Sequence, residues 1–347
     1  MDPVDAEGAH RPCLLVTGAA PSDVLEDVRR DDGAPGEGAV DHPDRLPPMR
    51  LDSRGDGDGW VECDLGHRHW GLFGAAGLLL HRATTSGGEV LLQHRAHWSH
   101  HGGTWGLLGG ARHSNESAVD AALREAGEEG GVSSVGVEVH GRYDEPHGGW
   151  SYATVLAETA ADIQARPTGG ESLDVAWVAV DNVDDRPLHP AFAAAWPTLR
   201  TALRPLTVVV DAANVVGSRP DGWWRDRAGA ARRLVEGCVG LAADGIAGPD
   251  LPDEVNRRGL SRCWPLIVVV VEGQARPVAD SPTGSAAVRV LAARGAGDDA
   301  IVDATAAAAA AGPVIVVTAD RELRSRVAAV GAVTIGPRWL TDRASPD

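Results

Sequence analysis

Apolar runs alternate with amphipathic segments in the first part of the chain and predict its elements in order. The segments FGAAGLLLHR (73–82) and EVLLQHR (89–95) have the pattern of two strands joined by a short loop. Helical spacing of apolar residues follows in SNESAVDAALREAGEE and again in HPAFAAAWPTLRTAL (189–203). Between these helices, the runs VEVHGRY, SYATVLAET and ESLDVAWVAV predict further strands.

A different pattern begins after Pro205, where wholly apolar runs alternate with helical segments. The strand-like runs are LTVVVD, LIVVVVEG (266–273) and VIVVTAD. Strands that are apolar along their whole length are typical of parallel sheets covered by helices on both faces. The pattern therefore predicts a parallel α/β sheet in 205–347.

Residues 1–58 have little hydrophobic periodicity and are rich in Asp, Gly, Pro and Arg. Their one strand-like run is CLLVTG (13–18). We expect this segment to be largely disordered, because it offers little apolar surface to bury. The chain is thus divided into 1–58, a first domain at 59–204 and a second domain at 205–347.

Composition narrows the classes of chemistry. All basic residues are Arg, which excludes a Walker-type or Schiff-base lysine. The formal net charge is −17, and its acidic excess lies before residue 206, which argues against strong nucleic-acid binding by the whole chain. The four cysteines are far apart without a C-x-x-C pair, so neither zinc nor a disulfide framework is expected. The absence of a long apolar run predicts no membrane partner and a cytoplasmic location.

Three carboxylates crowd onto one face of the helix predicted for SNESAVDAALREAGEE, whose expected N-cap is Ser114 or Asn115. Glu125, Glu128 and Glu129 are spaced so that their charges repel one another. A divalent cation relieves this repulsion, and hard oxygen ligands suit Mg²⁺ or Mn²⁺. Such a cation clamps a diphosphate and lowers the pKa of a bound water for attack on phosphorus. The alternative is a solvated acidic helix.

Residues 110–132, GARHSNESAVDAALREAGEEGGV, fit the spacing G-x5-E-x7-R-E-U-x-E-E-x-G-U, where U is an aliphatic residue. In this pattern the chain resembles the Nudix hydrolase family, over about 60–204. The resemblance implies an α/β/α sandwich with a mixed sheet, and a nucleotide as substrate. WGLLGG stands where many members have WxxPGG, so Leu108 replaces the usual proline and weakens any subfamily assignment. The box residues are Gly110, Glu116, Arg124, Glu125, Glu128, Glu129 and Gly131.

The resemblance also suggests a role for each box residue. Gly110, Glu125, Glu128 and Glu129 are the expected metal ligands. Arg124, four residues before Glu128, is expected to orient a carboxylate, and Glu116 to support the loop and helix or a second ion. Gly110 and Gly131 are expected to permit backbone turns at the two ends.

Residues outside the box leave alternatives open. Glu171 falls where the family often has an additional acid, so it is either a ligand or general base, or a loop carboxylate that starts a strand. The histidine-rich stretch QHRAHWSHHGG (93–103) is predicted to be a loop rather than a zinc site. Trp98, Trp105 or Trp150 is suited to stacking on a base, with core packing favoured for Trp105.

Acidic residues recur at the ends of the predicted strands in 205–347. Asp211 ends the first strand and Asn214 follows it, Asp298 begins a helix, and Asp320 and Arg321 follow the last strand. Because the carboxyl ends of parallel strands meet at one edge of the sheet, these residues predict one shared site. Helix capping is the alternative for each acid taken alone.

This arrangement resembles the PIN-like nucleases, specifically the NYN branch with its YacP-like members, over about 206–340. The resemblance implies Mg²⁺ or Mn²⁺ held by Asp211, Asp298 and Asp320, and RNA as the partner. Asp299 or Asp303 is a candidate fourth ligand. Asn214 is expected to orient a ligand or phosphate, and Arg321 to contact phosphate or pair with a site acid. Trp223 and Trp224, with Arg225 and Arg227, either contact nucleic acid or begin a helix.

Two catalytic hypotheses follow, beside a non-catalytic one, a nucleotide-sensing or RNA-binding module, against which the intact box argues for the first domain. The first is a metal-dependent pyrophosphohydrolase that cleaves a nucleoside diphosphate linked to another moiety, with Glu125, Glu128 and Glu129 at its centre. The second is a metal-dependent endoribonuclease in the second domain, with the first domain acting on RNA 5′ ends or on nucleotide products.

Overall fold

The computed structural model describes residues 55–85, 87–219, 222–256 and 259–344. Residues 1–54 lie outside these ranges. They include the strand predicted at 13–18 and most of the segment predicted to be disordered. In chain order, the strands are β1 (Trp60–Glu62), β2 (Arg68–Trp70), β3 (Ala75–Thr84), β4 (Gly87–Arg95), β5 (Trp105–Gly106), β6 (Leu108–Ala111), β7 (Val137–His147), β8 (Trp150–Thr159), β9 (Ser172–Ala179), β10 (Thr207–Asp211), β11 (Ile246–Ala247), β12 (Arg262–Cys263), β13 (Leu266–Val271), β14 (Val288–Ala292), β15 (Val314–Val317) and β16 (Val333–Ile335). The helices are α1 (Ala118–Gly130), α2 (Pro190–Leu199), α3 (Ala212–Gly217), α4 (Arg227–Asp244), α5 (Asp253–Asn256), α6 (Gly297–Ala311), α7 (Arg321–Ala328) and α8 (Pro337–Thr341).

A mixed sheet organises the first part of the molecule. Its main path is β11-β12-β7-β8-β3-β4-β5, with β6 paired to β3 and β9 paired to β4. The pair β3–β8 is parallel, and the hairpins β3–β4 and β7–β8 are antiparallel. The predicted strands at 73–82 and 89–95 correspond to β3 and β4, so the expectation of a mixed sheet is confirmed.

The two faces of this sheet are covered by different helices, as alternating side chains require. Leu78 and Leu80 of β3 pack in a cluster with the alanines of α1. Leu79, from the same strand, belongs to the opposite cluster, together with Trp196 and Leu199 of α2. The strand thus places α1 on one face and α2 on the other.

Helix α1 begins later than predicted. Its N-cap is Ser117, whose Oγ accepts the N–H of Asp120 at 3.1 Å, so the prediction of Ser114 or Asn115 was wrong. The helix ends at Gly131, which has a left-handed φ of 64° and donates its N–H to the Gly127 carbonyl. The turn expected at this glycine is present.

The second part is built on a five-stranded parallel sheet in the order β14-β13-β10-β15-β16, which confirms the predicted parallel α/β arrangement. In its central strand, Val208 and Val210 face one hydrophobic cluster and Val209 faces the other. The edge strands β14 and β16 were not predicted. Arg289 lies within β14, and all three residues of β16 are only half-buried, so neither has a wholly apolar pattern.

The two parts share a sheet and a core. Strands β11 and β12 come from the second half of the chain but pair with each other and with β7. The N–H of Trp264 donates to the His140 carbonyl at 3.0 Å, and that of Ser261 donates to Arg142 at 2.8 Å. One hydrophobic cluster runs from Leu79 to the second sheet. Among the described residues, no helix is long and apolar enough to cross a membrane.

Candidate functional site

Helix α1 directs its polar face along β6 because its alanine face is buried. Ala121, Ala122 and Ala126 are fully buried against the sheet. The residues between them therefore direct their side chains away from the buried face of α1. One of these residues, Arg124, contacts three carboxylates.

Arg124 first joins α1 to the loop that precedes it. Its Nε and Nη2 donate to the two carboxylate oxygens of Glu116 at 2.8 and 2.9 Å, and Nη2 also donates to the Ala111 carbonyl at 2.9 Å. These charge-assisted bonds lower the pKa of Glu116. The pair thereby holds the loop before α1 in one conformation, which is the supporting place expected of Glu116.

Arg124 also contacts two of the three helix glutamates. Its Nη1 donates to Glu125 Oε1 at 2.8 Å and to Glu128 Oε2 at 3.1 Å. The side chain of Glu128 is 60% exposed and that of Glu125 only 14%. The arginine is thus placed to orient both carboxylates, with Glu128 facing solvent and Glu125 facing inward.

Glu129 is the most perturbed carboxyl of the box. Its Oε2 accepts the N–H of Gly109 at 2.9 Å. Its pKa is raised to about 8, chiefly by burial and in smaller part by the charges of Glu125 and Glu171. Burial also raises the pKa of Glu125, with a further contribution from Glu128. Two inward carboxylates that are disfavoured as anions fit a bound divalent cation, because its charge offsets their repulsion.

Gly110 has a different structural role from the predicted turn. It lies within β6, paired with Ala76, and its φ is not left-handed. A Cβ at this position would lie 2.6 Å from Glu125 Oε1. The absence of a side chain therefore lets the Glu125 carboxylate lie against the main chain of β6.

Two further acids approach the box from other segments. Glu171 is exposed just before β9, its carbonyl accepts the N–H of Ala96 at 2.8 Å, and its charge raises the pKa of Glu129. Asp58 contributes to the raised pKa of Glu125. Asp58 was not predicted, because nothing in the Gly- and Asp-rich stretch around it distinguishes it.

A half-buried pair on β7 and β8 was also not predicted. Glu145 and Tyr152 face each other across this hairpin. Burial raises the pKa of Glu145 to about 7. Burial, followed by the charges of Glu145 and Glu129, raises the pKa of the Tyr152 phenol. The alternation in SYATVLAET marks strand β8 but does not show that Tyr152 approaches the box.

The histidine-rich stretch after β4 forms turns, as expected of a loop. Within it, His101 has a left-handed φ of 53°. Ligand nitrogens of His100, His101 and His189 lie within 4.8 Å of one another. Trp105 is buried and stacks on the His94 ring at 4.8 Å, so the preference for core packing is met there.

Trp98 and Trp150 have different environments. Trp98 is 60% exposed. Trp150 stacks on His69 with ring centroids 4.3 Å apart. Of the two, Trp98 presents the more accessible ring.

In the second part, Asp211 lies at the carboxyl end of the central strand β10. Its Oδ1 accepts the N–H of Asn214 at 3.0 Å, which caps α3, and its Oδ2 accepts the Thr318 hydroxyl at 2.9 Å. Burial raises its pKa, and Asp298 and Glu272 raise it further. The predicted convergence of acids at this edge is therefore present around a buried carboxylate.

Asp298 and Asp320 stand beside it. Burial raises the pKa of Asp298, followed by the charges of Asp320 and Glu272. Asp320 also caps α7 by accepting the N–H of Leu323 at 2.8 Å. Glu272 is a site acid that was not predicted; it directly follows β13, two residues beyond Val270, the residue that pairs with Asp211.

The remaining candidates are arranged differently from the expectation. Among the described residues, the arginine paired with an acid of this cluster is Arg326, which contacts Asp299 at 2.6 Å, whereas Arg321 is exposed. Asp303 is also exposed. Asn214 uses its Oδ1 to accept the N–H of Ala319 at 2.8 Å, so its oxygen ties two segments of the fold together.

The two tryptophans near residue 223 precede a helix rather than begin it. Trp223 and Trp224 form a short 3₁₀ turn, and Asp226 then caps α4. Arg227 lies over the Trp223 ring at 5.3 Å from its centroid, and Trp224 is 56% exposed.

Known proteins share the sequence that carries the first site. The profile of the NUDIX domain matches residues 73–200. A Mycobacterium tuberculosis protein with the provisional name 8-oxo-dGTP diphosphatase 3 is 49% identical over 164 residues, which cover 45% of this chain and 73% of the relative. The chain belongs to the Nudix family. Hydrolases of this family act on pyrophosphate bonds and generally use divalent metal ions.

Other relatives extend the comparison. A Bifidobacterium longum protein, named as a fusion of a nucleoside triphosphate pyrophosphatase with a Nudix hydrolase, is 41% identical over 167 residues, covering 47% of this Nudix chain and 34% of the relative. The crystal structure of the Nudix hydrolase RenU from M. smegmatis is 46% identical, covers 42% of this chain and 94% of that one, and has a TM-score of 0.40.

Proposed function

We propose that this Nudix chain hydrolyses nucleoside triphosphates or related nucleotides at a diphosphate bond, with Mg²⁺ or Mn²⁺ as its cation. The observation that carries the proposal is the pair of inward carboxylates, Glu125 and Glu129, whose pKa values are raised. With Glu128, these residues would hold the cation, beside the main chain of Gly110. When bound, the cation neutralises charge on the diphosphate and makes a water more acidic.

The other side chains of the site orient the carboxylates and accept a proton. Arg124 and Glu116 fix α1 relative to the loop that precedes it, so that the Glu125 and Glu128 carboxylates are directed to the same cation site. Glu171 is the exposed carboxylate next to buried Glu129. We assign Glu171 as the general base that accepts the proton of the attacking water. The water oxygen bonds to phosphorus, the anhydride P–O bond breaks, and pyrophosphate leaves.

For the substrate, the names of the relatives favour a nucleoside triphosphate, and we propose an oxidised purine triphosphate such as 8-oxo-dGTP. The exposed ring of Trp98 is a candidate for stacking on the base. A general nucleotide pyrophosphohydrolase is the broader form of the same proposal.

The test measures pyrophosphate release from 8-oxo-dGTP, dGTP, the other NTPs, ADP-ribose and a dinucleoside polyphosphate, with Mg²⁺ and with Mn²⁺. We expect Glu128→Gln and Glu129→Gln to lower kcat by at least about 100-fold, since each removes a ligand charge. The matched control is Glu236→Gln, the same change at an exposed position of α4. Equal turnover in the wild type and the Glu129 variant would refute the assignment.

A second function is proposed for the other part: metal-dependent cleavage of an RNA phosphodiester. What supports it is buried Asp211 with Asp298 and Glu272 around it, at the carboxyl edge of a parallel sheet. Asp211, Asp298 and Asp320 would hold the cation, with Glu272 beside them, and the domain division at 205 and a PIN-like NYN assignment belong to the same proposal. Trp224 and Arg225 are the candidate contacts to RNA.

The nuclease proposal is tested with a fluorescent single-stranded RNA and Mn²⁺. Asp298→Asn is the variant of choice, because the pKa of Asp298 is perturbed by burial and neighbouring charges, whereas Asp211 and Asp320 also cap helices. Glu129→Gln serves as the control that disables only the Nudix site. An RNA cleavage rate that is the same in Asp298→Asn as in the wild type would refute the proposal.

A further inference from the structure

A small hairpin before the Nudix sheet brings metal-binding side chains together from three segments. Strands β1 and β2 form this hairpin; Cys63 directly follows β1, and His69 lies in β2. His147 is the last residue of β7, beside the turn to β8. The N–H of Asp64 donates to the Gly148 carbonyl at 2.8 Å, which holds the hairpin against this turn.

The ligand atoms of these side chains are already close to one another. One ligand atom from each of Cys63, His69 and His147 lies within 4.8 Å of the others. Cys63 Sγ and His147 Nδ1 are 3.4 Å apart. Sulfur and nitrogen ligands of a tetrahedral zinc ion are about 3.6 Å apart, from bond lengths of about 2.3 and 2.1 Å.

The surroundings favour a ligand role over ordinary burial of a histidine. Cys63 is 7% exposed and His69 is 8% exposed. Within the described part of the chain, His69 Nε2 is buried and has no hydrogen-bond partner. An unpaired buried nitrogen is unfavourable, and coordination to a metal removes that cost.

Neighbouring groups fix the orientation of the two imidazoles. The His69 ring stacks on Trp150, whose Nε1 donates to the Gly71 carbonyl at 2.9 Å. The far nitrogen of His147, Nε2, is 3.4 Å from His67 Nδ1, within hydrogen-bonding distance. Such a bond sets which nitrogen of His147 faces Cys63, as the outer partners of metal-bound histidines do.

We propose that Cys63, His69 and His147 hold a zinc ion that fastens the β1–β2 hairpin to the β7–β8 turn. One thiolate and two imidazoles select zinc over the hard cations that the box carboxylates suit. The expectation of no zinc rested on the absence of a C-x-x-C pair, which does not detect ligands from separate segments.

The fastening has a consequence for the Nudix site. The hairpin is preceded by residues 55–59, which bond to it: the Leu72 N–H donates to Gly57 and that of Gly71 to Gly59, at 2.9 and 2.8 Å. The same segment contains Asp56, whose Oδ1 accepts the N–H of Ser114, a residue of the box loop, at 3.0 Å. A zinc ion at the hairpin therefore helps to hold this segment against the box.

The experiment measures zinc in the full-length chain by elemental analysis, after incubation with zinc and extensive dialysis. We expect Cys63→Ser and His69→Gln to hold about one zinc per chain fewer than the wild type. The matched control is His101→Gln, a histidine of the separate cluster with His189, and it is expected to hold the same amount as the wild type. A wild type without zinc, or zinc lost in His101→Gln but kept in Cys63→Ser, overturns the proposal.

A second measurement does not depend on the folding of any variant. Cobalt replaces zinc in such sites, and a cobalt–thiolate bond gives a strong near-ultraviolet charge-transfer band. We expect this band in the cobalt-loaded wild type, and Cys238→Ala, which removes a thiol buried in α4, is expected to keep it. A cobalt spectrum without the band in the wild type overturns the thiolate ligand.

Discussion

The buried carboxyl of Glu129 makes the stability of this chain depend on pH in a way that one substitution abolishes. Burial raises its pKa from 4.5 to about 8. Below the lower value, the group is protonated in the folded and unfolded states and has no effect. As the pH rises towards 8, only the unfolded state ionises, so the free energy of unfolding falls by up to about 1.4 kcal/mol per pH unit. The total loss is up to about 5 kcal/mol, a large fraction of the stability of a typical domain.

Glu129→Gln removes this titration while keeping an oxygen that accepts the Gly109 N–H. In EDTA, we expect the variant and the wild type to unfold alike near pH 4.5 and the variant to be more stable by up to about 5 kcal/mol above pH 8. Added Mg²⁺ stabilises the wild type more than the variant, so the difference narrows. Urea unfolding followed by tryptophan fluorescence measures both, with Glu236→Gln as the control. A difference that does not change between pH 5 and pH 8 would refute the reasoning.

Three further substitutions test the scaffold of the box. Gly110→Ala places a methyl group against the Glu125 carboxylate, and we expect a loss of about 1–3 kcal/mol in urea unfolding together with a large loss of kcat. Arg124→Ala breaks the paired bonds to Glu116, and we expect it to cost about 2–4 kcal/mol in the same assay; an unchanged midpoint would show that the pair is not structural. Ser117→Ala removes the N-cap of α1 and should cost about 1 kcal/mol, with Ser133→Ala, on the surface after the helix, expected to cost little.

The spacing of the box could be predicted because it depends on local geometry. Residues three and four apart on a helix share a face, so Arg124 and Glu128 had to be neighbours once α1 was predicted. The reason for Gly110 could not be predicted in this way. It depends on the distance between β6 and the Glu125 carboxylate, and that distance is set by strand pairing with β3.

Long, regular strands were predicted well, and short or distant pairings were not. Runs such as LTVVVD have enough apolar residues to identify β10, whereas β11 and β12 have two residues each and no detectable period. The acids at the carboxyl edge were predicted from the strand ends, but Glu272 was overlooked. The pairing of Arg326 with Asp299 was not predicted, because this contact depends on how α6 packs on α7.

Strand β7 connects the features that sequence patterns did not reveal. Its edge pairs with β12, so the sheet of the Nudix part continues into the second half of the chain. Near its end, Glu145 faces Tyr152, and the next turn begins at His147. Displacement of this strand would therefore alter the shared sheet, the half-buried Glu145–Tyr152 pair and the Cys63–His69–His147 cluster together, because a shift of register changes the face of every side chain on it. The box carboxylates on α1 depend in addition on the centre of the sheet, because α1 and β6 both contact β3.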